Sequence, residues 1–484
     1  MNLTDNGYRW VATPAPLAGR YDDIFFISPD IGWSVNGNGQ ILKTEDGGGH
    51  WQLQKQLEGV YLRCIGMANS QVGWVGSVTP GRQLFHTHDG GQNWVLVDNL
   101  PNEYISREQA DAPSAVCGLW VLDEQHVFAS GTNYPERPAR FLKTEDGGQS
   151  WFARDMEDVA TLLVDIYFKT EQEGWVVGGR SVRPNPRRSD VVPTVLKTED
   201  GGRTWRDLLG DSINAPLGEW GWKIQFLDEE FGVVACEDLK AGAILITEDG
   251  GQSWRRQEIR NAEGEMINEN LEGIGFLNRQ RGWVGGWGDK VFNSGRTSGT
   301  TDGGRTWTDL TATWPQPVPG QGYSCPPRPV IGQYINRFRF VGNPVTAVYA
   351  SGNTVYKYTN QDLFEPMERE ITEDRLLRAT ELHITADQSL IPLTVPDGAK
   401  ALSIVLYDRF AGKVRTLLEE QNPPGGERLI TWDLRDDNGQ KLTPGQFMVR
   451  VTCDNESESR LIFPEPTGDK LTYSATTPHL LRED

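Results

Sequence analysis

Short apolar segments separated by polar turns recur along most of the 484-residue chain. A first apolar segment, for example 24–27 (IFFI), is followed by a Gly-Trp segment, for example 32–35 (GWSV), and then by a polar turn. Comparable second segments stand at 73–76, 127–131, 174–178, 232–235 and 282–285. Short apolar runs bounded by turn residues are typical of buried β-strands. The pattern therefore predicts many short strands rather than a helical protein.

An octapeptide of the form Thr-x-Asp-Gly-Gly-x-x-Trp follows these segments in six copies. Its successive tryptophans are 43, 57, 54, 49 and 53 residues apart, about the length of one four-stranded unit with variable loops. Glycine permits the positive φ of a tight turn, and a carboxylate can accept hydrogen bonds from its own turn's backbone. We therefore interpret each copy as a hairpin turn with a structural aspartate. These aspartates are Asp46, Asp89, Asp146, Asp200, Asp249 and Asp302.

The octapeptides resemble the Asp-box, also called the bacterial neuraminidase repeat. The resemblance implies an all-β propeller in which the box holds the turn between the third and outer strands of each blade. Asp-boxes occur in sialidases, other glycosidases, sorting receptors and assembly factors, so they do not indicate an activity. Over about residues 8–310, the pattern of apolar strand, Gly-Trp segment and box is similar to the photosystem II stability and assembly factor family. That resemblance implies a non-enzymatic propeller that binds a protein client.

The ends of the repeat region indicate how the ring closes. One further strand-rich unit, at 335–358, has no box and no outer strand of its own. The N-terminal segment 8–11 (YRWV) matches the Trp-led outer strand that follows each box elsewhere. Closing a ring by pairing its first and last segments removes the free sheet edges. Six boxed blades and one composite blade predict seven blades within residues 1–359.

The C-terminal region has a different pattern. Residues 360–380 are charged and box-free, which is typical of a linker, and strand signals resume over 381–463. Strings such as 404–408 (IVLYD) and 430–433 (ITWD) resemble the immunoglobulin-like domain of flagellar hook-capping proteins. We therefore expect a small immunoglobulin-like β-sandwich followed by a polar tail at 464–484.

Composition and charge narrow the class of partner. The 47 Lys and Arg residues and 67 Asp and Glu residues give a net charge of −20, which would repel nucleic acid and anionic membranes. The five cysteines include no C-x-x-C pair, so free thiols are expected. The first ten residues have no signal-peptide pattern, and no apolar run reaches about 18 residues. We expect a cytoplasmic protein, or one exported by a non-classical route.

Four loops between second and third strands carry nine basic and only two acidic residues. Such a cluster in an acidic chain predicts a basic rim that accepts an acidic segment of a protein partner. The alternative is that these side chains are solvated or pair with acidic neighbours such as Glu229 and Glu230. The candidate partner-binding residues are Arg82, Arg137, Arg140, Arg180, Arg183, Arg187, Arg188, Lys290 and Arg296.

No catalytic, cofactor or metal motif stands out from the sequence. A sialidase is excluded because the Arg-Ile-Pro segment that opens such sites is absent. Another type of glycosidase needs only two facing carboxylates, and the sequence does not exclude such a pair. His86 and His88 are interpreted as turn residues, and the 433–438 segment as a hairpin rather than a calcium loop. The leading hypothesis is a non-enzymatic scaffold or assembly component of a larger bacterial complex, such as a secretion or contractile-injection apparatus. The alternative is a carbohydrate-binding or carbohydrate-cleaving propeller.

Overall fold

Strands dominate the computed structural model, which contains one short 3-10 helix, Arg188–Asp190, among the residues it describes. Those described strands belong to two compact units, one ending at residue 359 and the other starting at residue 382. No helix in these residues is long and apolar enough to span a membrane. The structure describes residues 7–482 outside the segments 16–20, 102–113, 133–134, 136–137, 182, 184–185, 187, 211–214, 239–240, 269, 287–295, 311–334, 353, 361–381, 385–388, 409–412, 443–446, 455, 463–470 and 475–478.

Each boxed repeat forms a four-stranded antiparallel sheet whose strands follow chain order, and we call these boxed sheets 1 to 6. The chain starts with β1 (Arg9–Ala12), and the boxed sheets follow it. Sheets 1 to 3 contain β2 (Tyr21–Phe26), β3 (Gly32–Asn36), β4 (Gln40–Thr44), β5 (Gln52–Gln56); β6 (Leu62–Met67), β7 (Gly73–Ser77), β8 (Leu84–Thr87), β9 (Val95–Leu96); β10 (Gly118–Val121), β11 (Val127–Gly131), β12 (Arg140–Thr144) and β13 (Phe152–Asp155). Sheets 4 to 6 contain β14 (Leu162–Phe168), β15 (Gly174–Arg180), β16 (Val192–Thr198), β17 (Arg206–Asp207); β18 (Glu219–Phe226), β19 (Gly232–Asp238), β20 (Ala243–Thr247), β21 (Arg255–Glu258); β22 (Leu271–Phe276), β23 (Gly282–Gly286), β24 (Arg296–Thr300) and β25 (Thr308–Asp309).

A further four-stranded sheet combines the two ends of this unit. It contains β26 (Arg337–Val341), β27 (Ala347–Ser351) and β28 (Val355–Thr359), with β1 as its outer strand. β1 pairs antiparallel with β28, and Trp10 lies opposite Tyr358. We call this the closing sheet. β1 satisfies backbone groups that would otherwise form an exposed sheet edge.

The sheets form a ring. First strands of neighbouring sheets contact each other in chain order from β2 to β26, and β26 in turn contacts β2. Apolar clusters fill the space between sheets, and the box tryptophans take part in them. Trp94 packs with Trp33 of sheet 1 and Val75 of sheet 2, and Trp307 likewise packs between sheets 5 and 6. Packing face to face around an axis is the arrangement of a β-propeller.

The two ends of the ring differ in the connections they carry. Because the strands are antiparallel, the turn between first and second strands lies at the same end as the box. A hydrogen bond joins the two turns in each boxed sheet, for example from Gly47 N to Asp30 O at 2.7 Å. We call this end the box face. The opposite end, with the connections between second and third strands, is the loop face.

β-bulges interrupt the first strand of five boxed sheets near the loop face. A bulge places one extra residue in a strand and redirects its side chain. Several of these residues are charged, which is unusual for strands that are otherwise buried. The extra residues are Asp22, Arg63, Val164, Trp222 and Glu272.

The C-terminal unit consists of two antiparallel sheets, one of five strands and one of four, among the described residues. Trp432 and Ile391 of the first sheet share an apolar core with Ile404 and Val449 of the second. Two strands lie in the segment expected as a polar tail, and one of them pairs with the unit's first strand. The expected linker falls almost wholly outside the described residues. The strands are β29 (Leu382–Ile384), β30 (Ser389–Val395), β31 (Ala401–Asp408), β32 (Lys413–Gln421), β33 (Gly426–Trp432), β34 (Phe447–Cys453), β35 (Glu456–Ile462), β36 (Leu471–Ser474) and β37 (His479–Arg482).

Candidate functional site

A buried ionic cluster lies where the first strands converge on the axis. Arg337 of the closing sheet donates two hydrogen bonds to Asp165 of sheet 4, at 2.8 and 2.9 Å. Its Nε donates to Asp23 of sheet 1 at 3.0 Å. Burial opposes ionisation of Asp165, yet the Arg337 guanidinium holds the pKa of this carboxyl below its usual value. One arginine thus links three sheets, two of them on opposite sides of the ring.

A second set of contacts crosses the axis in another direction. Arg63 of sheet 2 forms an ion pair with Asp22 at 2.5 Å, and its guanidinium lies 5.2 Å from the ring centre of Trp222 in sheet 5. The Trp222 indole N–H donates to Asn336 Oδ1 at 2.9 Å. A cation–π contact therefore joins sheets 2 and 5 across the axis, and a hydrogen bond joins Trp222 of sheet 5 to Asn336, the residue before β26 of the closing sheet.

Lys223 is buried beside this cluster. Burial lowers the pKa of its amine to about 8, and the nearby Arg337 acts in the same direction. Burial also raises the pKa of the Cys64 thiol well above its usual value, so this cysteine is a poor nucleophile. Four cysteines are buried and form no disulfide, namely Cys64, Cys117, Cys236 and Cys453, while Cys325 lies outside the described residues.

The axial cluster is a structural feature that the sequence interpretation missed. Its side chains are at least nine-tenths buried and occupy the axis, so they join opposed sheets rather than present groups to a ligand. The available signal was charge within first strands, as at Asp22, Asp23, Asp165 and Lys223. That signal could not be interpreted from the chain alone because the partners lie on different sheets, 41 residues apart for Asp22 and Arg63 and more than a hundred for Arg337 and its two carboxylates.

The boxes have the hydrogen-bonding geometry of a locked turn. In box 4, Asp200 accepts from the backbone N–H and the hydroxyl of Thr204, at 2.9 and 2.6 Å, and from the hydroxyl of Thr198 at 2.9 Å. Hydrogen bonds from Asn93 lower the pKa of Asp89 to about 2 in the equivalent position. A carboxylate held ionised by its own turn is poorly suited to proton transfer at neutral pH.

Two arginines of the predicted basic rim stand at strand ends and support the sheets. Arg140 is 1% exposed and pairs with Asp155 of the outer strand at 2.7 Å. Arg180 ends β15, where it donates to Asp207 at 3.0 Å and to the backbone carbonyl of Gly210 at 2.9 Å. Arg140 therefore contributes no exposed guanidinium to a rim, because its side chain is buried where it pairs with Asp155.

Three further arginines of the rim are more accessible. Arg183 is 65% exposed and pairs with Asp190 at 2.9 Å. Arg82 donates to a backbone carbonyl at 2.6 Å, and Arg296 lies 3.7 Å from Asp309. Surface pairs of this kind contribute little to stability, about 0–1 kcal/mol, so a partner's carboxylate can compete for them.

The remaining rim residues lie outside what the structure describes. Arg137, Arg187 and Lys290 fall in segments that are not described, and the Arg188 side chain is not described either. The acidic neighbours considered as alternatives are engaged elsewhere: Glu229 lies 3.1 Å from Lys169, and Glu230 lies 2.9 Å from Arg279. Both belong to box-face turns and do not neutralise the loop-face arginines.

Candidate metal ligands do not converge in the described part of the chain, where no group of three or more His, Cys, Asp or Glu side chains has a suitable arrangement. The imidazole rings of His86 and His88 contact each other edge to face at 4.9 Å. Asp436 accepts hydrogen bonds from the backbone of Asn438 and Gln440, at 2.9 and 2.8 Å, which is a turn geometry.

The N-terminal part of the chain is similar in sequence to a family of assembly factors. The family model for the photosynthesis system II assembly factor YCF48 matches residues 4–116. The Photosystem II assembly protein Ycf48 of Synechococcus sp. (strain JA-3-3Ab) is 28% identical over 231 residues. The match covers 44% of this chain and 64% of that protein, so the chain spans less than two thirds of its relative. The N-terminal unit is thus a propeller of the bacterial neuraminidase repeat type that resembles Ycf48.

Two solved structures align at low identity, and the first of them shares the fold. The GH74 enzyme of Niastella koreensis aligns with a TM-score of 0.51 and 10% identity, covering 99% of this chain and 80% of that chain. The structure of YCF48 bound to D1 peptide aligns with a TM-score of 0.48 and 16% identity, covering 73% of this chain and 97% of that chain. Identities this low concern the fold alone.

Proposed function

We propose that this protein is a non-enzymatic scaffold or assembly component of a larger bacterial complex and binds a protein client through the loop face of its propeller. The observation that carries the proposal is the match of residues 4–116 to an assembly-factor family, together with the similarity to Ycf48. The propeller would be a rigid support, because its axis is held by ion pairs between opposed sheets. A rigid support presents loops to a partner at a low cost in conformational entropy.

The proposed architecture is a seven-bladed ring. Six boxed sheets, the closing sheet and the contact between β26 and β2 support this count. We propose an immunoglobulin-like sandwich for residues 381–463, supported by two antiparallel sheets that share an apolar core. The boundaries at 359 and 380 belong to the same proposal, as does a cytoplasmic location or export by a non-classical route. The second unit would dock another component of the complex.

The client is proposed to carry an acidic segment. Arg82, Arg183 and Arg296 offer accessible guanidinium groups on or near the loop face, where each makes a replaceable surface contact. Arg137, Arg187, Arg188 and Lys290 belong to the same loops in the sequence. Charge-assisted contacts with a carboxylate are individually worth about 1.5–3 kcal/mol when water is excluded. Several such contacts would suffice for specific binding in an otherwise acidic molecule.

A matched pair of double variants tests this proposal. The full chain is used to capture its client from the native host, the client is purified, and its Kd is measured with each variant. Arg82→Ser/Arg183→Ser removes two loop-face charges, and Arg203→Ser/Arg305→Ser removes two charges at boxes. We expect at least about a tenfold weaker Kd for the first variant alone. Equal weakening by both variants, or unchanged binding by the first, would refute the loop face as the client site.

Glycoside cleavage is the second candidate, favoured by the shared fold of the GH74 enzyme. Such an enzyme needs two carboxylates that face a sugar. The axial carboxylates Asp23 and Asp165 are buried and share Arg337, which leaves neither available to a polysaccharide. Incubating the protein with soluble polysaccharides and assaying reducing ends tests this candidate. Release of reducing ends that persists after repurification would replace the scaffold proposal.

A further inference from the structure

A groove of about 400 Å³ lies between boxed sheet 6 and the closing sheet, beside the sixth box. Its volume is within the range of sites for small ligands, about 300–1,000 Å³. Its lining combines aromatic rings with polar side chains of the box and of the neighbouring turn. The side chains relevant here are Tyr8, Arg281, Trp283, Thr308, Leu310 and Tyr358.

The groove arises from the way in which the ring closes. In each boxed sheet a tryptophan immediately precedes the outer strand, as Trp51 precedes β5 and Trp307 precedes β25. In the closing sheet the outer strand is β1, whose Arg9 pairs with Thr359, so an arginine stands at the register position of that tryptophan. No box joins β28 to β1, because these strands come from distant parts of the chain. The junction between sheet 6 and the closing sheet therefore lacks the turn found at the others.

Three side chains at this groove have hydrogen-bond donors that the described residues do not fully use. Arg281 donates to the Tyr358 hydroxyl at 2.7 Å and has no carboxylate within ion-pair distance in the described part of the chain. The hydroxyl of Tyr8 and the indole N–H of Trp10 are buried without a hydrogen-bond partner among those residues. By comparison, Arg279, two residues earlier, pairs with both Asp228 and Glu230.

Among the residues that the structure describes, the lining of this groove carries no acidic side chain, although the chain has a net charge of −20. The peripheral groove beside the first box, of about 630 Å³, is lined by Glu45 and Asp46 as well as Lys43. The lack of described carboxylates in its lining therefore distinguishes this groove from the groove beside the first box. A ligand that supplies acceptor oxygens would complete the Arg281 fork and accept from the Tyr8 hydroxyl, and an aromatic ring would pack on the aromatic side chains of the lining.

We propose that this groove binds a small aromatic carboxylate, either as a free acid or as the C-terminal residue of a partner protein. The site lies at the box face and is separate from the loop-face client site, so either proposal can fail without the other. Carboxylate and guanidinium form two parallel hydrogen bonds, and the ring accounts for the apolar part of the groove.

Four probes and inorganic phosphate test the ligand class on the full chain. 3-Phenylpropionate represents a free acid, and N-acetyl-phenylalanine represents a protein C terminus; the corresponding amides are the neutral controls. Binding is measured by isothermal titration calorimetry and by quenching of tryptophan fluorescence. We expect at least one acid to saturate a single site and its amide to bind at least about tenfold more weakly, since the charged contact is lost. The acid that binds more tightly shows whether the ligand is a free acid or the C terminus of a protein.

Matched variants locate the site. Arg281→Gln is expected to weaken the acid at least about tenfold, and Arg279→Gln to change its Kd less than about twofold. Tyr8→Phe removes only one hydroxyl, so it keeps the fold testable if Arg281→Gln lowers the melting temperature; it should weaken binding by about threefold. Equal binding of acid and amide, equal effects of the two arginine variants, full competition by phosphate, or no binding of either acid at millimolar concentration would each overturn the proposal.

Discussion

At the scale of residues, Arg337 has the largest expected energetic effect, because it neutralises two buried carboxylates at once. Removing one member of a buried ionic group leaves an unpaired charge and costs about 3–5 kcal/mol. We expect Arg337→Met to lower the free energy of unfolding by about that amount in urea titrations. The double variant Arg337→Met/Asp165→Asn should recover part of the loss. A single variant as stable as the wild type would show that the axial cluster contributes nothing.

Lys223 makes stability depend on pH in the alkaline range. Burial and Arg337 lower its pKa to about 8 in the folded protein, compared with about 10.4 in an unfolded chain. Between these values the unfolded state binds more protons, so stability should rise with pH from about 8 to 10. Lys223→Met should abolish this rise in pH-dependent thermal denaturation. A rise that persists in the variant would assign it to another group.

Asp200 represents the box aspartates, which stabilise their turns as ions. Asp200→Ala removes four hydrogen bonds and is expected to destabilise the protein by about 1–3 kcal/mol at pH 7. Hydrogen bonding lowers the folded pKa to about 2 although burial opposes this. The contribution is therefore present above about pH 4 and lost as pH falls towards 2. The stability difference between variant and wild type should shrink over that interval.

At the scale of elements, β1 decides whether the ring is closed. Deleting residues 1–15 removes the pairing of β1 with β28 and exposes an unpaired edge. We expect a lower melting temperature and aggregation at high concentration, measured by scanning calorimetry and light scattering. Deleting residues 1–6 is the control, because it leaves β1 intact. A monodisperse 1–15 deletion with an unchanged melting temperature would contradict closure by β1.

The local sequence pattern predicts some structural elements of the propeller but not others. The Gly-Trp segments and the boxes give strands such as β3 and β7, because apolar runs, tight turns and glycines act locally. The bulges in first strands have no such local signature, since they depend on side chains that meet across the axis. Arg140 shows the same difference: its place in the sequence is typical of a loop, but tertiary packing encloses it beside Asp155.

At the scale of the whole molecule, the net charge opposes the binding of an acidic client, whereas the local charge of the loop face favours it. A chain with a net charge of −20 repels an acidic client at long range, whereas the loop-face arginines attract it at short range. We expect the loop-face contacts to outweigh the long-range repulsion in the bound state, so that added salt, which screens both, weakens net binding. Raising ionic strength from about 0.15 to 1 M, where the Debye length falls from about 8 to 3 Å, should weaken client binding. Binding that strengthens with salt would indicate an apolar interface instead.

The sequence by itself determined the repeat, its length and the all-β class, because turn chemistry and strand hydrophobicity are properties of neighbouring residues. It also indicated that the N-terminal strand belongs with the last repeat, since a box-like outer strand was missing there. Only the tertiary structure decided which charges meet. Arg337 reaches Asp165 and Asp23 because the ring brings distant strands together, whereas Arg281 has no carboxylate within ion-pair distance among the described residues. Pairing across an axis depends on closure, and closure is a property of the whole ring.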